Sequence, residues 1–400
     1  MKILMLTPYL PYPLFSGGQI RTYNLLKNLS KTHDITLFSL IKEESERQYV
    51  QELEKYCTKV RVFRRSKTPF TLRNVLRAGF SLSPFLVIRN FVDEVIHAVK
   101  KELQSEHYDL IHAETFYMMP NIPRTDTPVL LVEQTIEYLG YLSYAKSTRF
   151  WPVKPLLYID IFKIRYWEEY FWRVCARLVV MSDNDRQFML RTTKNPLPKI
   201  DVVENGVDVE YFKQTRKHLP KEPTVLFVGT FKWLPNIEAV KFLIEEIWPL
   251  IHAKSPTAKL HIVGNSPTAD VLQMAQQNPD ITISGNIDDI RDAYAGAHVL
   301  LAPVFSGKGT RYKVLEALAT GTPVVGTKLA VEGIKIEPGV HALIANTAQG
   351  LADETVKVLR DTALRERLAA NGEKLVFQQY GWDKISKKLD AIYSQLGERG

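Results

Sequence analysis

Short runs of apolar, mostly β-branched residues recur along this chain, each followed by a stretch of helical periodicity, and this alternation limits the fold more than any other feature. The runs fall at residues 3–6, 35–40, 110–112, 129–132, 178–181 and 200–203. A second series follows the charged stretch 213–222, at 225–228, 260–263, 281–283, 299–301 and 323–325. Strands that are apolar on both faces must be covered on both faces, so the pattern predicts parallel sheets flanked by helices. At 400 residues and 45% apolar composition, the chain has material for two such α/β domains, with a boundary between 205 and 223.

The remaining composition narrows the class. Cys57 and Cys175 have neither metal-ligand spacing nor a disulfide framework, which fits a reducing, cytoplasmic setting. Residues 1–13 read as a first strand rather than a leader, and no apolar run reaches the roughly 18 to 20 residues needed to cross a bilayer. The net charge of +8 favours anionic ligands, yet no nucleic-acid-binding motif accompanies it. The basic group Arg61, Arg64, Arg65 and Lys67, with the stretch 70–101 carrying Arg73, Arg77 and Arg89, has two readings: peripheral contact with an anionic inner membrane face, or an ordinary domain surface. The aromatic stretch 158–177 reads as core packing.

Chemistry concentrates after the run 299–301. Gly307 and Gly309 allow a tight turn, and a helix starting at Tyr312 would present free amide groups beside Lys308, Thr310, Arg311 and Lys313, a setting suited to a diphosphate. Arg311 can fork onto phosphate oxygens, whereas Lys313 acts as a point charge. One turn further, the Glu316 carboxylate is placed to accept hydrogen bonds from ribose hydroxyls. A second glycine pair, Gly17 and Gly18, follows the first strand and precedes a helix with Arg21 in its first turn, where backbone amides can approach a phosphate or a sugar. Asp183 and Asp185 mimic a metal-binding pair, but Ser182 before them marks a helix start.

Taken together, Pro11-Tyr12-Pro13, the Gly17-Gly18 helix, Asn205-Gly206-Val207-Asp208, the segment from Gly229 to Asn236, the segment from Gly307 through Glu316, and Tyr380-Gly381-Trp382 resemble the large retaining glycosyltransferase family of GT-B fold, glycosyl transferases group 1. That family includes glycogen synthases, sucrose synthases and bacterial mannosyltransferases, and the likeness is greatest to its bacterial exopolysaccharide branch. The resemblance spans almost the whole chain. It implies two Rossmann-like domains facing across a cleft: 1–205, with a terminal helix 383–400 packing back on it, would take the acceptor, and 206–382 would hold the nucleotide-sugar donor. By the same resemblance Gly17 and Gly18 would touch the diphosphate and donor sugar, Gly229 and Lys232 would border the phosphates, and Gly285, Asn286 and Ile287 would lie against the base. The acceptor would be a glycan, a lipid-linked sugar or a protein, with no nucleic acid, no metal and no other cofactor.

Departures from the family pattern matter as well. Thr230 and Asn236 stand where the family usually has Arg and Lys, which leaves phosphate charge to Arg311, Lys313 and Lys232. Lys308 replaces an earlier glutamate. Gln134 occupies the place of a histidine near the donor sugar; it can hydrogen-bond a hydroxyl but cannot share a proton near neutral pH. Glu137 and Glu114 are the carboxylates open to assisting acceptor deprotonation, and His112 reads equally well as structural. Three other readings stand beside retaining transfer: a sugar-nucleotide epimerase, a phosphorylase, and a non-catalytic nucleotide- or glycan-binding subunit of a partner enzyme.

Overall fold

In a computed structural model describing residues 1–66, 79, 81–148, 151–285, 287–307 and 309–397, the chain divides into two compact units, Met1–Glu204 with Ile385–Gly400, and Asn205–Lys384. Each is a parallel sheet with helices on both faces. In the first unit β1 (Lys2–Thr7), β2 (Asp34–Ile41), β3 (Lys59–Arg64), β4 (Leu110–Glu114), β5 (Val129–Glu133), β6 (Arg177–Val180) and β7 (Ile200–Val202) take the order β3-β2-β1-β4-β5-β6-β7. In the second, β8 (Thr224–Val228), β9 (Lys259–Val263), β10 (Ile281–Ser284), β11 (Val299–Ala302), β12 (Val324–Gly326) and β13 (Leu343–Ile344) take the order β10-β9-β8-β11-β12-β13. Both sheets therefore reverse direction once, between β1 and β4 and between β8 and β11. At such a point the loops leaving the two central strands diverge and open a crevice at their carboxyl ends.

Period-two alternation distributes the strand residues between the layers. On β8, Val225 and Phe227 enter one core with Leu243, Trp248 and Leu260, while Leu226 enters the other with Leu300, Val314 and Leu318. Every one of these side chains is essentially excluded from water, and each contributes roughly 1.5–3 kcal/mol of transfer free energy. The first unit is built likewise: Leu4, Leu6 and Ile111 pack with Phe38 and Val99, and Leu131 and Leu178 pack with Ile164 and Trp172.

The terminal helix Trp382–Gly397 leaves the second unit and completes the first, burying Ile385, Leu389, Ile392, Tyr393 and Leu396 along one stripe of helical spacing. Where the chain enters the second unit, Val207 forms a parallel bridge to Gly381, with its amide on the Tyr380 carbonyl at 2.8 Å.

Two strands escape the sequence pattern. β3 alternates Lys59 and Arg61 with Val60 and Val62 as an edge strand, and β13 has only two residues. The basic group belongs largely to that edge: the Arg61 guanidinium lies 5.2 Å from the centroids of the Phe38 and Phe63 rings, and Arg65 is half-buried, bonded to Asn90 Oδ1. Lys67, Arg73 and Arg77 lie outside the described residues. The aromatic stretch is a helix, Lys154–Val174, of which only one face is core: Phe171 and Trp172 are buried, whereas Phe162, Tyr166 and Tyr170 are exposed, correcting the reading of core packing throughout. Among the described residues no helix is long and apolar enough to cross a membrane.

Candidate active site

The first unit gathers polar side chains at the carboxyl ends of β1, β4 and β5. Gln134 follows β5, and its Nε2 donates to the Tyr9 hydroxyl at 2.6 Å and to Glu114 Oε2 at 2.7 Å. Both amide hydrogens are thereby used, so only Oε1 remains to meet a ligand, as an acceptor. Glu114 is fully buried. Burial works against its charge, yet the bonds from His112 and Gln134 and the field of Arg21 hold its carboxyl below the ordinary range. Because an ionised Glu114 can only accept, His112 donates from Nε2 at 3.1 Å and accepts at Nδ1 from the Tyr393 hydroxyl at 2.5 Å. A continuous chain of hydrogen bonds thus runs from Tyr393 on the terminal helix to Gln134 at the carboxyl end of β5.

Gly18 fits into this arrangement for a steric reason. A Cβ there would stand 2.5 Å from the Tyr9 hydroxyl and 2.7 Å from Gln134 Oε1, so only glycine lets the helix Gly17–Leu29 start against them. Ser16 caps that helix, its Oγ accepting from the Gln19 amide at 3.4 Å. Just beyond Glu114, Thr115 holds φ 71°, a strained value for a β-branched residue of the kind that collects at functional sites.

Glu137 opens the helix Glu137–Ser147. Its own carboxyl is raised to about 7 by burial, against a 3.1 Å bond from Thr135 Oγ1. The start of that helix is held by a distant residue, buried Glu168, which accepts from the Glu137 and Tyr138 amides at 2.7 and 3.1 Å and so satisfies two otherwise unpaired donors. Burial pushes Glu168 and neighbouring Glu133 well above the carboxylate range, with the charges of Glu133 and Glu137 adding to the shift of Glu168 and those of Glu137 and Glu114 to the shift of Glu133. Glu133 in turn receives the Trp172 indole N–H at 2.9 Å.

In the second unit the loop after β11 carries Gly307 at φ 90° and Gly309 at φ 89°, a left-handed region that side chains with a Cβ avoid. Arg311 sits at the N-cap of the helix Tyr312–Ala319, with Nη2 on the Ser306 carbonyl at 3.2 Å and a pKa lowered by burial. Lys313 turns toward the end of β8: its Nζ donates to Asn236 Oδ1 at 3.1 Å and lies 4.6 Å from the centroid of the Phe227 ring. Burial and nearby Arg311 lower the Lys313 ammonium to about 7, opposed by Glu316. Asn236 is itself fixed, donating to the Thr230 carbonyl at 2.9 Å. An ammonium from the helix thus meets the side chain at position 236, where the family pattern has a lysine. Glu316 receives the Tyr294 hydroxyl on Oε2 at 2.8 Å, and burial raises its carboxyl while Tyr294 and Lys313 oppose the shift.

Each residue singled out from sequence can now be placed. Gly17, Gly18 and Gln134 meet in the first unit, with Glu137 nearby. Glu114 is enclosed and fully engaged, so it orients Gln134 and cannot itself meet an acceptor, a correction to its reading as an open base. Arg21 is also turned inward, with Nη1 on the Glu204 carbonyl at 2.8 Å, and acts beneath the site through its field. In the second unit Gly229, Gly307, Gly309, Thr310, Arg311, Lys313 and Glu316 lie along the ends of β8 and β11, Lys232 is exposed, and Ile287 packs against the core. Asn286 and Lys308 lie outside the described residues. Ser182 caps the helix Asp183–Thr192, accepting from the Asp185 amide, in keeping with a helix start. Tyr9, Tyr294 and Glu168 escaped the sequence reading, and only the position of Tyr9 just past a strand end offered a signal for any of them.

Two family profiles match the chain, Glycosyltransferase Family 4 over residues 15–211 and Glycosyl transferases group 1 over 222–361. The phosphatidyl-myo-inositol mannosyltransferase of Mycobacterium tuberculosis is 28% identical, covering 76% of this chain and 78% of that one. The capsular polysaccharide biosynthesis glycosyltransferase CapM of Staphylococcus aureus is 21% identical, over 55% and 62%. Among solved structures, Anabaena HepE in complex with UDP-glucose superposes with a TM-score of 0.65 at 15% identity, covering 99% of this chain and 100% of that one.

Proposed function

This chain is a GT-B glycosyltransferase related to bacterial exopolysaccharide enzymes, acting in glycoconjugate or polysaccharide biosynthesis, and from that premise we propose that it transfers a sugar from a nucleotide-diphosphate donor, with retention, to a glycan or lipid-linked acceptor. The observation that carries the donor assignment is the line of Arg311, Lys313 and Glu316 on one short helix behind two left-handed glycines. It offers two cations and the positive end of a helix to a diphosphate, and a carboxylate to the adjoining ribose.

In the reaction the bond from the anomeric carbon to the diphosphate oxygen breaks, a bond to the acceptor oxygen forms, and the acceptor hydroxyl gives up its proton. Positive charge grows on the sugar and negative charge on the departing diphosphate. Arg311, Lys313 and the loop amides are fixed beforehand where that negative charge develops, which is the condition for electrostatic stabilisation. They supply the role a divalent ion would otherwise take, and activity should survive chelation by EDTA. Gln134 Oε1 would accept from a sugar hydroxyl, and Glu137, its carboxyl raised to about 7 by burial, would take up the acceptor proton.

The test is donor binding and turnover across UDP-, GDP- and ADP-sugars for wild type, Arg311→Ala and Glu316→Ala, with the anomeric configuration of the product read by NMR. Loss of donor affinity in both variants supports the reading; unchanged affinity and turnover in both would refute it. Interconversion of donors without any acceptor would identify an epimerase instead.

A further inference from the structure

Tyr294 belongs to no sequence motif, yet among the described residues it makes the one side-chain hydrogen bond to the Glu316 carboxylate. It is fully buried on the helix Ile290–Ala295. Behind it the backbone is braced: Lys217 Nζ donates to the Tyr294 and Ala297 carbonyls at 2.9 and 3.2 Å and to Thr322 Oγ1 at 2.6 Å, and Thr322 Oγ1 donates to the Tyr294 carbonyl at 2.9 Å. The phenol is thus held from its own main chain outward.

We infer that Tyr294 is a positioning residue for nucleotide recognition: by occupying Oε2 of Glu316 it fixes the carboxylate and presents Oε1 to a ribose hydroxyl, so that the site reads a ribonucleoside diphosphate over its deoxy form. The inference rests on the donor assignment above. A glutamate has three side-chain torsions to settle, and a carboxylate that must first be ordered gives up part of the gain from each hydrogen bond it makes. The phenol keeps its proton, because burial and the carboxylate beside it push its pKa well above the ordinary value. The direction of the bond, and the choice of oxygen left over, are therefore constant across the working pH range.

The experiment measures dissociation constants by calorimetry for UDP, GDP and ADP and for the 2′-deoxy and 3′-deoxy forms of whichever binds best. The proteins are wild type, Tyr294→Phe, Glu316→Ala and the double variant. Wild type is expected to prefer the ribonucleotide by about tenfold, in line with one good hydrogen bond. Tyr294→Phe should shrink that ratio to about threefold or less by weakening only the ribonucleotide, and should add nothing in the Glu316→Ala background. Deoxy affinity confirms that Tyr294→Phe is folded. Should it not fold, Thr322→Val, which removes a brace from the Tyr294 carbonyl, is read by the same ratio, and an unchanged ratio there overturns the inference. Equal weakening of ribo and deoxy forms by Tyr294→Phe, or a ratio that only Glu316→Ala abolishes, overturns the inference and leaves the donor assignment standing. A ratio unaffected by Glu316→Ala removes the ribose assignment itself, and the role of Tyr294 with it.

Discussion

Donor binding is expected to weaken steeply as pH rises above neutrality, and to lose that dependence in Lys313→Met. The Lys313 ammonium is lowered to about 7 by burial and by Arg311, against the pull of Glu316, with the Asn236 amide and the Phe227 ring as its remaining close contacts. A diphosphate favours the charged form, so binding raises this pKa and takes up a proton. The sign follows: affinity is full below the free-protein value and falls as pH passes above it, until the bound-state pKa is reached. If only charged Lys313 binds, the apparent Kd scales as 1 + 10^(pH − 7), a factor of about 2 at pH 7 and about 100 at pH 9, or roughly 2.3 kcal/mol of lost affinity between them. Calorimetry or fluorescence titration with a nucleoside diphosphate at constant ionic strength, between pH 7 and 9, reads this directly. Lys313→Met should bind more weakly at pH 7 and show a flat profile. A flat wild-type profile, or the same slope in Lys313→Met, would refute the argument.

Three further outcomes follow from the first unit. Gly18→Ala places a methyl 2.5 Å from the Tyr9 hydroxyl, and should cost about 1–3 kcal/mol of stability with at least a tenfold fall in kcat/KM, measured by thermal melting and steady-state kinetics. Glu168→Ala uncaps the Glu137–Ser147 helix and should destabilise by about 2 kcal/mol, whereas Glu168→Gln, which keeps an acceptor for one of the two amides and turns an NH2 toward the other, should recover only part of that. At saturating donor, turnover should rise with pH through about 7 as Glu137 ionises, its proton held up to that value by burial, and Glu137→Gln should abolish the rising limb.

What sequence conveys here is what is local. The buried strands are nearly unbroken apolar runs, and Gly307, Gly309, Arg311 and Glu316 lie within ten residues of one another, so their relation is set by one turn and one helix. Ser182 is equally readable because a cap and its amide are three residues apart. β3 was hidden because an edge strand carries Lys59 and Arg61 where an interior strand would carry valine. The orienting contacts are long-range: Gln134 to Tyr9 spans 125 positions, Lys313 to Asn236 spans 77, and Glu168 reaches back 31 to the amide it caps. No periodicity or spacing encodes such pairs, because only the folded sheet brings them together.

The membership of the terminal helix has a consequence for biosynthesis. The first unit is discontinuous in the chain, since Tyr393 and its apolar neighbours on Ile385–Gly400 arrive only after the entire second unit has left the ribosome. Until then the nascent amino-terminal half exposes the groove those side chains fill, and His112 lacks its phenol partner. The chain must therefore mature after translation rather than domain by domain, and a protein cut after Glu204 would be expected to aggregate unless that final segment is supplied as a separate peptide.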